Sequence, residues 1–267
     1  MLIVVASMGA ELAGLRREVE EFQASKGTKF QAEFHLLGVG PERSGVSMAK
    51  LLETELLDNR RPVAGRGKNK KADGVLLLGV AGAVVSELET GSLLLAGRYA
   101  VDVPGSEPEA TAVLEPDAEM LKQAELAAAK LGMPINQGTS LTVDHLVGHP
   151  RERQQLREKY SVDSINMEDY TVAEAAAKAG VPFLSVRIVL DTASQQLPDY
   201  LEGLSRSKFR LLTRVLGMPW RIPTLWRIKN QLTLCQAVIT GFGMAYLNLE
   251  VERTKSAQAQ AASRALY

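Results

Sequence analysis

The chain has 267 residues, enough to bury the core of one α/β domain or of two small domains. Its 31 basic and 31 acidic residues cancel, so no global charge attracts nucleic acid, and a small or lipid-like ligand is the better expectation. The single cysteine, Cys235, has no partner for an internal disulfide, and its apolar neighbours indicate a core residue in a reducing compartment.

Short apolar runs alternate with amphipathic helical segments along the chain, which is typical of a mostly parallel sheet covered by helices. Strands are predicted near residues 2–7, 30–38, 74–80, 91–102, 134–141 and 182–190. Helices are predicted near residues 9–23, 41–57, 116–131, 150–158, 168–179 and in the segments after 203. The apolar start lacks a basic leader and is interpreted as a strand rather than a signal peptide, and no apolar run reaches the length of a membrane span.

Charged and glycine-rich positions mark the first half of the chain. Glu11 lies in the first turn of a predicted helix, where the helix N-terminus alone also favours an acid. Arg43 starts the second helix and suits an anion such as phosphate, although a solvated arginine is the alternative. Residues 60–71 form a basic loop, interpreted as a solvated connection or a contact with anionic lipid heads. Between Gly79 and Gly82, exposed N–H groups could bind an anion, or the glycines simply make a tight turn.

Residues 165–194 combine a polar hinge, a helix and a buried strand, and they deliver two carboxylates to one region. Asp191 follows the strand, at the edge where open α/β sheets bind ligands, although an acid also caps turns there. Glu168 precedes the helix. Its alternative role is helix-start electrostatics, with Asn166 as the cap and Asp169 three residues later.

These segments closely resemble, in the same order, the purine nucleoside phosphorylase and methylthioadenosine/adenosylhomocysteine nucleosidase superfamily. The resemblance is carried by the segments Ile3–Leu15, Gly38–Pro41, Gly79–Ala83, Thr90–Leu93 and 165–194. It implies a single α/β domain of nucleoside phosphorylase-like fold over residues 1–203, with a twisted, mostly parallel mixed sheet flanked by helices. Residues 204–252 would form a helical C-terminal extension packed on the same domain, and 253–267 a disordered tail.

The resemblance implies cleavage of the N-ribosidic bond of a purine nucleoside. The leaving base gains negative charge as this bond breaks, so an acid must protonate it or donate a hydrogen bond to it. By resemblance, Asp191 does so at the purine N7, Glu168 accepts hydrogen bonds from the ribose hydroxyls, and Met167 packs beneath the sugar. Thr142 and Asp144 lie where family members contact the base.

Two nucleophiles remain open, because the resemblance extends to both branches of the superfamily. Glu11 aligns with the glutamate that positions water in the hydrolytic branch. Phosphate, as a co-substrate, would bind Arg43 and the backbone of Gly79 and Val80. The arginine and serine that clamp phosphate in many phosphorylases are replaced here by Leu77 and Val80, and Asn166 stands where nucleosidases carry a further glutamate. No cofactor is expected, and His145 has no metal-ligand spacing, so no metal site is predicted.

The C-terminal segment suggests a more specific identity. Basic residues alternate with aromatic ones over residues 206–229, which suits a membrane interface, although two amphipathic helices closing the sheet are the alternative. This tail and the Gly-Pro-x-Arg turn most resemble the hopanoid-associated phosphorylase branch, whose members are assigned to releasing adenine from adenosylhopane. We therefore expect a cytoplasmic homo-oligomeric pentosyltransferase, peripheral at the inner face of the membrane. The alternatives are a methylthioadenosine/adenosylhomocysteine or futalosine-type nucleosidase, and a non-catalytic nucleoside or lipid sensor.

Overall fold

The computed structural model describes residues 1–27, 29–58, 72–103, 112–198 and 222–264. Within these ranges lie eight strands: β1 (Leu2–Ala6), β2 (Ala32–Leu36), β3 (Gly74–Ala83), β4 (Leu93–Val101), β5 (Val113–Leu114), β6 (Ile135–Thr142), β7 (Ser164–Asn166) and β8 (Phe183–Asp191). The helices within these ranges are α1 (Gly9–Lys26), α2 (Pro41–Asp58), α3 (Ala118–Lys130), α4 (Pro150–Tyr160), α5 (Asp169–Ala179) and α6 (Ile222–Arg264).

All eight strands join one mixed sheet, as the sequence predicts. β1 lies between β2 and β3 and is parallel to both, and β8 is parallel to β3 on the other side. β8 also pairs antiparallel with β4, β4 runs parallel to β6, β6 parallel to β7, and β7 returns antiparallel to β3. Five strands therefore close a circuit, and the carboxyl ends of β1, β3 and β8 meet at one edge.

Helices cover the sheet on both faces. Leu12 and Leu15 of α1 share an apolar cluster with Phe242 and Tyr246 of α6. On the opposite face, Met48 of α2 packs with α5 and with side chains of β1 and β3. The branched apolar side chains of β1, β3 and β8, which favour strand formation, are thus buried under helices on both faces of the sheet. This packing holds the carboxyl ends of the three strands in a fixed arrangement.

The sequence predicts the long elements and misses two short strands, β5 and β7. Residues Gly79 to Gly82, expected between strand and loop, lie inside β3, because β8 pairs with all four and β7 pairs with Gly82 and Ala83. A register shift falls between Ala81 and Gly82. The predicted basic loop over 60–71 and the predicted helix after residue 203, up to residue 221, lie outside the described residues.

α6 contributes to the core between Cys235 and Leu247. By length and composition it is apolar enough to cross a membrane, so the prediction that no apolar segment reaches this length was wrong. However, Cys235, Ile239, Phe242, Tyr246 and Leu247 are buried against the rest of the protein, and the predicted core position of Cys235 is confirmed. The helix continues to Arg264 where the sequence predicts a disordered tail, because the segment is rich in alanine, glutamine and other strong helix formers.

Candidate active site

The candidate site lies at the carboxyl ends of β3 and β8, next to the first turns of α1 and α5. Glu11, Glu168 and Asp191 are all buried there. The register of β3 and β8 pairs Gly79 with Arg187 and Gly82 with Asp191. A Cβ at Gly82 would lie 3.1 Å from Asp191 Oδ2. Glycine therefore suits this position of β3, because the carboxyl group of Asp191 lies close to the space that a larger side chain would fill.

Glu11 is held by backbone donors from two elements. Its Oε2 accepts a hydrogen bond of 2.8 Å from the Met8 N–H, and its Oε1 accepts one of 3.2 Å from the Val80 N–H. Burial raises the pKa of Glu11 to about 7, while nearby Arg187 and the two N–H donors act in the opposite direction. The helix-start role is thus fulfilled, and the same carboxyl group is also suited to exchange a proton near neutral pH.

Glu168 lies between the β2–α2 turn and the buried arginine of β8. Its Oε1 accepts a hydrogen bond of 3.2 Å from the Gly40 N–H, and its Oε2 lies 3.3 Å from Arg187 Nη2. The capping of α5 falls instead to Asn166, whose Oδ1 accepts from the N–H groups of Glu168 and Asp169 at 2.9 and 2.7 Å. The carboxylate of Glu168 is therefore not needed to cap the helix. Half-buried Met167 packs against the apolar cluster beside it.

Asp191 ends β8, as predicted, and forms an ion pair with Arg153 of α4. Arg153 is itself buried and donates hydrogen bonds to the carbonyl oxygens of Val147, Ala83 and Thr192. Burial raises the pKa of Asp191 above its usual value, and the charge and hydrogen bond of Arg153 oppose this shift. The resulting group is an acid with a fixed counter-charge for its ionised form.

Sequence reasoning gave no role in the site to three buried charged residues of this region: Arg153, Arg187 and Asp169, the last of which it named only as part of a helix cap. Arg187 is 1% exposed, and its Nε and Nη2 donate to Asp169 Oδ1 at 2.8 and 2.6 Å. Burial alone would lower the pKa of Arg187, but the carboxylates of Asp169 and Glu168 raise it above its usual value. The available signal was an arginine inside the apolar run of β8, since a buried charge requires a partner.

The stretch that the sequence predicts to bind an anion already contacts a carboxylate of the protein. The Val80 N–H donates to Glu11, and the Val80 carbonyl accepts a hydrogen bond of 3.1 Å from Arg187 Nη1. A Cβ at Gly79 would lie 2.4 Å from Arg187 Nη1 and 3.1 Å from Glu11 Oε1. Gly79 and Val80 thus form the wall against which the acid and the arginine lie.

The remaining predicted positions lie further from this cluster or have other partners. The hydroxyl of Thr142 donates to Asn166 Oδ1 at 3.3 Å and accepts from the Tyr170 N–H at 2.9 Å. Asp144 is 72% exposed and contacts His145. Exposed Arg43 lies in the first turn of α2, with its side chain folded over Gly38. A role in base or phosphate binding stays a prediction for all three.

His145 lies between two carboxylates rather than in a metal site. Its Nδ1 is 2.7 Å from Asp144 and its Nε2 is 2.7 Å from Glu152, and these hydrogen bonds raise its pKa. Among the described residues, no group of histidine, cysteine, aspartate and glutamate side chains has an arrangement that could hold a metal ion.

Comparison with known proteins was made by sequence and by structure. The family model of the phosphorylase superfamily matches residues 2–210. The 5'-methylthioadenosine/S-adenosylhomocysteine nucleosidase of Actinobacillus succinogenes is 26% identical over 234 residues, which are 80% of this chain and 96% of that protein. The aminodeoxyfutalosine nucleosidase of Helicobacter pylori is 29% identical over 152 residues, 52% of this chain and 66% of the relative.

Solved structures of such enzymes share the fold. The 5'-methylthioadenosine/S-adenosylhomocysteine nucleosidase of Neisseria meningitidis, in complex with methylthio-immucillin-A, superposes with a TM-score of 0.66 at 19% identity. The match covers 92% of this chain and 97% of the other. The futalosine hydrolase of Helicobacter pylori superposes with a TM-score of 0.64 at 16% identity, with the same coverage. The matched 92% of the chain is longer than the part that precedes α6. The match therefore includes part of that helix.

Proposed function

Because the chain belongs to the phosphorylase superfamily, we propose that it is an enzyme that cleaves the N-ribosidic bond of a purine nucleoside, with water as the nucleophile. The observation that carries the choice of water is the environment of Glu11. This buried carboxyl has a pKa raised to about 7 and lies against the wall formed by Gly79 and Val80. The relatives of the chain include nucleosidases for methylthioadenosine and for aminodeoxyfutalosine, so nucleosides of these kinds are the first candidate substrates.

Asp191 serves the departing base in this proposal. Its raised pKa favours the protonated acid that the purine N7 requires, and Arg153 stabilises the carboxylate that remains after the proton has moved. The proton therefore passes from the buried acid to a base that is gaining negative charge. This assignment keeps the role that the family resemblance gives to Asp191.

Glu168 and Met167 hold the ribose, and Glu11 receives the proton of the attacking water. A base is most effective when its pKa lies near the working pH, a condition that the buried Glu11 meets. Water that attacks the sugar carbon gives a proton to Glu11, and its oxygen forms the new bond to the sugar as the bond to the purine breaks. Arg187 of β8 lies near both Glu11 and Glu168 and can stabilise their ionised forms.

Phosphorolysis of adenosylhopane, which the sequence favours, is the second candidate function. Trp226 on α6 is 66% exposed and is followed by exposed Arg227 and Lys229, a combination that suits the surface of an anionic membrane and a lipid substrate. Arg43 would then bind the phosphate. Against this candidate, a phosphate ion at Gly79 and Val80 would meet the carboxyl group of Glu11, whose ionised form repels it.

The decisive experiment measures purine release with and without inorganic phosphate. Methylthioadenosine, adenosylhomocysteine, aminodeoxyfutalosine and adenosylhopane in detergent are each incubated with the purified protein, and both the free base and the sugar product are followed. We expect release without phosphate and a free ribosyl product. A strict requirement for phosphate, with a ribose-1-phosphate product, would assign the nucleophile to phosphate instead.

Replacing Glu11 tests the role of the base in the same assay. We expect Glu11→Gln to lower kcat by about 10²–10⁴-fold, the usual range for loss of a general base. Glu18→Gln is the matched control, because Glu18 is an exposed acid on the same helix. Unchanged turnover in the Glu11 variant would contradict the proposal. Purine binding without any turnover by the unmodified protein would favour the non-catalytic sensor.

The membrane contact and the assembly are tested separately. Flotation with vesicles containing phosphatidylglycerol should decrease for Trp226→Ala if the exposed end of α6 docks on lipid. Size-exclusion chromatography with light scattering tests the expected homo-oligomer. A change of oligomeric state in the Trp226 variant, without any vesicle binding by the unmodified protein, would identify a subunit contact instead.

A further inference from the structure

One buried cation, Arg187, is shared by three acids of the candidate site. Its shortest contacts are to Asp169, at 2.6 and 2.8 Å, whereas Glu168 Oε2 lies 3.3 Å away. Glu11 is close enough for the charge of Arg187 to oppose its raised pKa. The geometry therefore divides the guanidinium charge unequally, and Asp169 receives the largest share.

Asp169 is fixed in this position by a full set of donors. Its Oδ1 also accepts a hydrogen bond of 2.6 Å from Ser185, and its Oδ2 accepts from Ser140 and from the Asn166 amide at 2.7 and 3.0 Å. Asp169 is 0% exposed. Such a carboxylate has no remaining capacity for a substrate hydroxyl, so any effect that it has on the reaction must pass through Arg187.

We propose that Asp169 is a positioning residue that withholds Arg187 from Glu11 and Glu168, so that the carboxyl group of Glu11 is free to accept a proton and Glu168 keeps its oxygens available for the ribose. This inference rests on the proposed function, because it concerns the same site. It assigns the acid after Glu168 a task that neither helix capping nor substrate contact explains.

The charges around Glu11 support this assignment. Arg187 and Asp191 come from β8, Glu168 and Asp169 from the start of α5, and the two backbone donors from Met8 and Val80. From α6, the thiol of Cys235 is within electrostatic range of Glu11 and has a pKa raised by burial to about 12, so it carries no charge near neutral pH. Arg187 is the single basic side chain among these residues. If Asp169 were neutralised, the positive charge of Arg187 would therefore act on Glu11 and Glu168 alone.

The predicted consequence is a shift in the titration of Glu11. In Asp169→Asn the ionised form of Glu11 gains attraction from Arg187, so its pKa falls by about 1 or more. The acidic limb of the kcat profile moves to lower pH by the same amount. Turnover at neutral pH also falls, because an ionised carboxylate bound to Arg187 is a weaker base. Ribose binding weakens as Glu168 is drawn to the same guanidinium, which appears as a raised KM.

The experiment follows Glu11 directly as well as through activity. Protein labelled with ¹³C at the glutamate carboxyl groups is titrated by NMR, and the Glu11 signal is assigned with Glu11→Gln. Ser185→Ala is the matched control, since it removes one hydrogen bond to Asp169 without changing any charge. We expect Asp169→Asn to shift the Glu11 midpoint and Ser185→Ala to leave it within about 0.3 pH unit, well below a charge effect.

A second variant protects the test against a misfolded Asp169→Asn. In the double variant Asn166→Asp, Asp169→Asn, the negative charge moves to a neighbour whose amide lies 3.0 Å from the original carboxylate. A midpoint close to that of the unmodified protein supports the proposal, and a midpoint as low as in the single variant overturns it. Equal shifts in Asp169→Asn and Ser185→Ala would also overturn it, since Asp169 would then be only structural. A shifted midpoint in a protein that releases no purine would sustain this inference while the proposed function fails.

Discussion

Burying Glu11 makes the stability of the folded protein depend on pH. Its pKa is 4.5 in the unfolded chain and about 7 in the folded protein. Below pH 4.5 Glu11 is protonated in both the folded and the unfolded state, so its burial adds no ionisation penalty to the free energy of unfolding. Between the two values the unfolded chain ionises first, so stability falls as pH rises. Above pH 7 the cost is constant and on the order of 3 kcal/mol.

Glu11→Gln should remove this pH-dependent cost. The variant loses the hydrogen bond from one N–H donor, and this loss lowers its free energy of unfolding equally at every pH. The informative quantity is therefore how the difference in free energy of unfolding changes with pH. Between pH 4.5 and pH 8 we expect the free energy of unfolding of the variant to improve relative to the unmodified protein by about 2–3 kcal/mol. Urea titrations at both pH values measure it, with Glu18→Gln as the control. If the free energies of unfolding of the variant and the unmodified protein differed by the same amount at both pH values, the pKa of Glu11 in the folded state would be its ordinary one.

The acids of the site were predictable from sequence, and their partners were not. Glu11 and Asp191 each lie at the end of an element, where a local pattern and the family resemblance both point to them. The roles of Arg153 and Asp169 depend on contacts with residues 38 and 18 positions away, namely Asp191 and Arg187. No local pattern reports such a pairing, so the residues that tune the acids emerged only from the tertiary structure.

At the scale of elements, α1 and α6 approach closely because small residues lie at their contact. A Cβ at Gly14 would lie 2.4 Å from Thr240 Oγ1 but 3.5 Å from Thr240 Cβ. The obstacle to a larger residue in α1 is therefore the hydroxyl of one α6 side chain. Apart from this contact, alanine would be the better helix residue by about 1 kcal/mol.

Gly14→Ala should consequently destabilise the unmodified protein and not the Thr240→Ala variant. We expect a loss of about 1–3 kcal/mol from overpacking in the first case. With Thr240→Ala present, the same substitution should be neutral or stabilising by up to about 1 kcal/mol. Urea denaturation of the four proteins gives the coupling free energy. Equal losses in both backgrounds would mean that the two helices are not in contact at this point.

Which elements were predictable follows from their length. β3 and β8 have long apolar runs, and α1 and α5 have helical spacing, so each pattern repeats often enough to be recognised. β7 has three residues and β5 has two, too few for any periodicity. β3 extends past its predicted end because β8 and β7 both pair with it there, and both pairings join residues more than 80 positions apart.

At the scale of the whole molecule, one face of the sheet is covered by helices from opposite ends of the chain, α1 and α6. Residues of α6 complete the apolar cluster formed by β1, β3, β4 and α1. The sequence predicts that residues 204–252 form a helical extension packed on the same domain. In the structure the buried side chains of α6 are part of the main apolar core, so we expect the domain to need its last helix for folding.

Truncation tests whether the domain needs α6 in order to fold. Ile239, Phe242 and Leu247 of α6 are buried, and each contributes about 2 kcal/mol by leaving water. With Cys235 and Tyr246 added, their loss is comparable to the whole stability of a typical domain, about 5–15 kcal/mol. We therefore expect a chain ending at residue 203 to lose cooperative urea unfolding and to bind a hydrophobic dye. A chain ending at residue 256 should unfold cooperatively, because every one of these buried residues is retained. Cooperative unfolding of the shorter chain would show that the domain folds without α6.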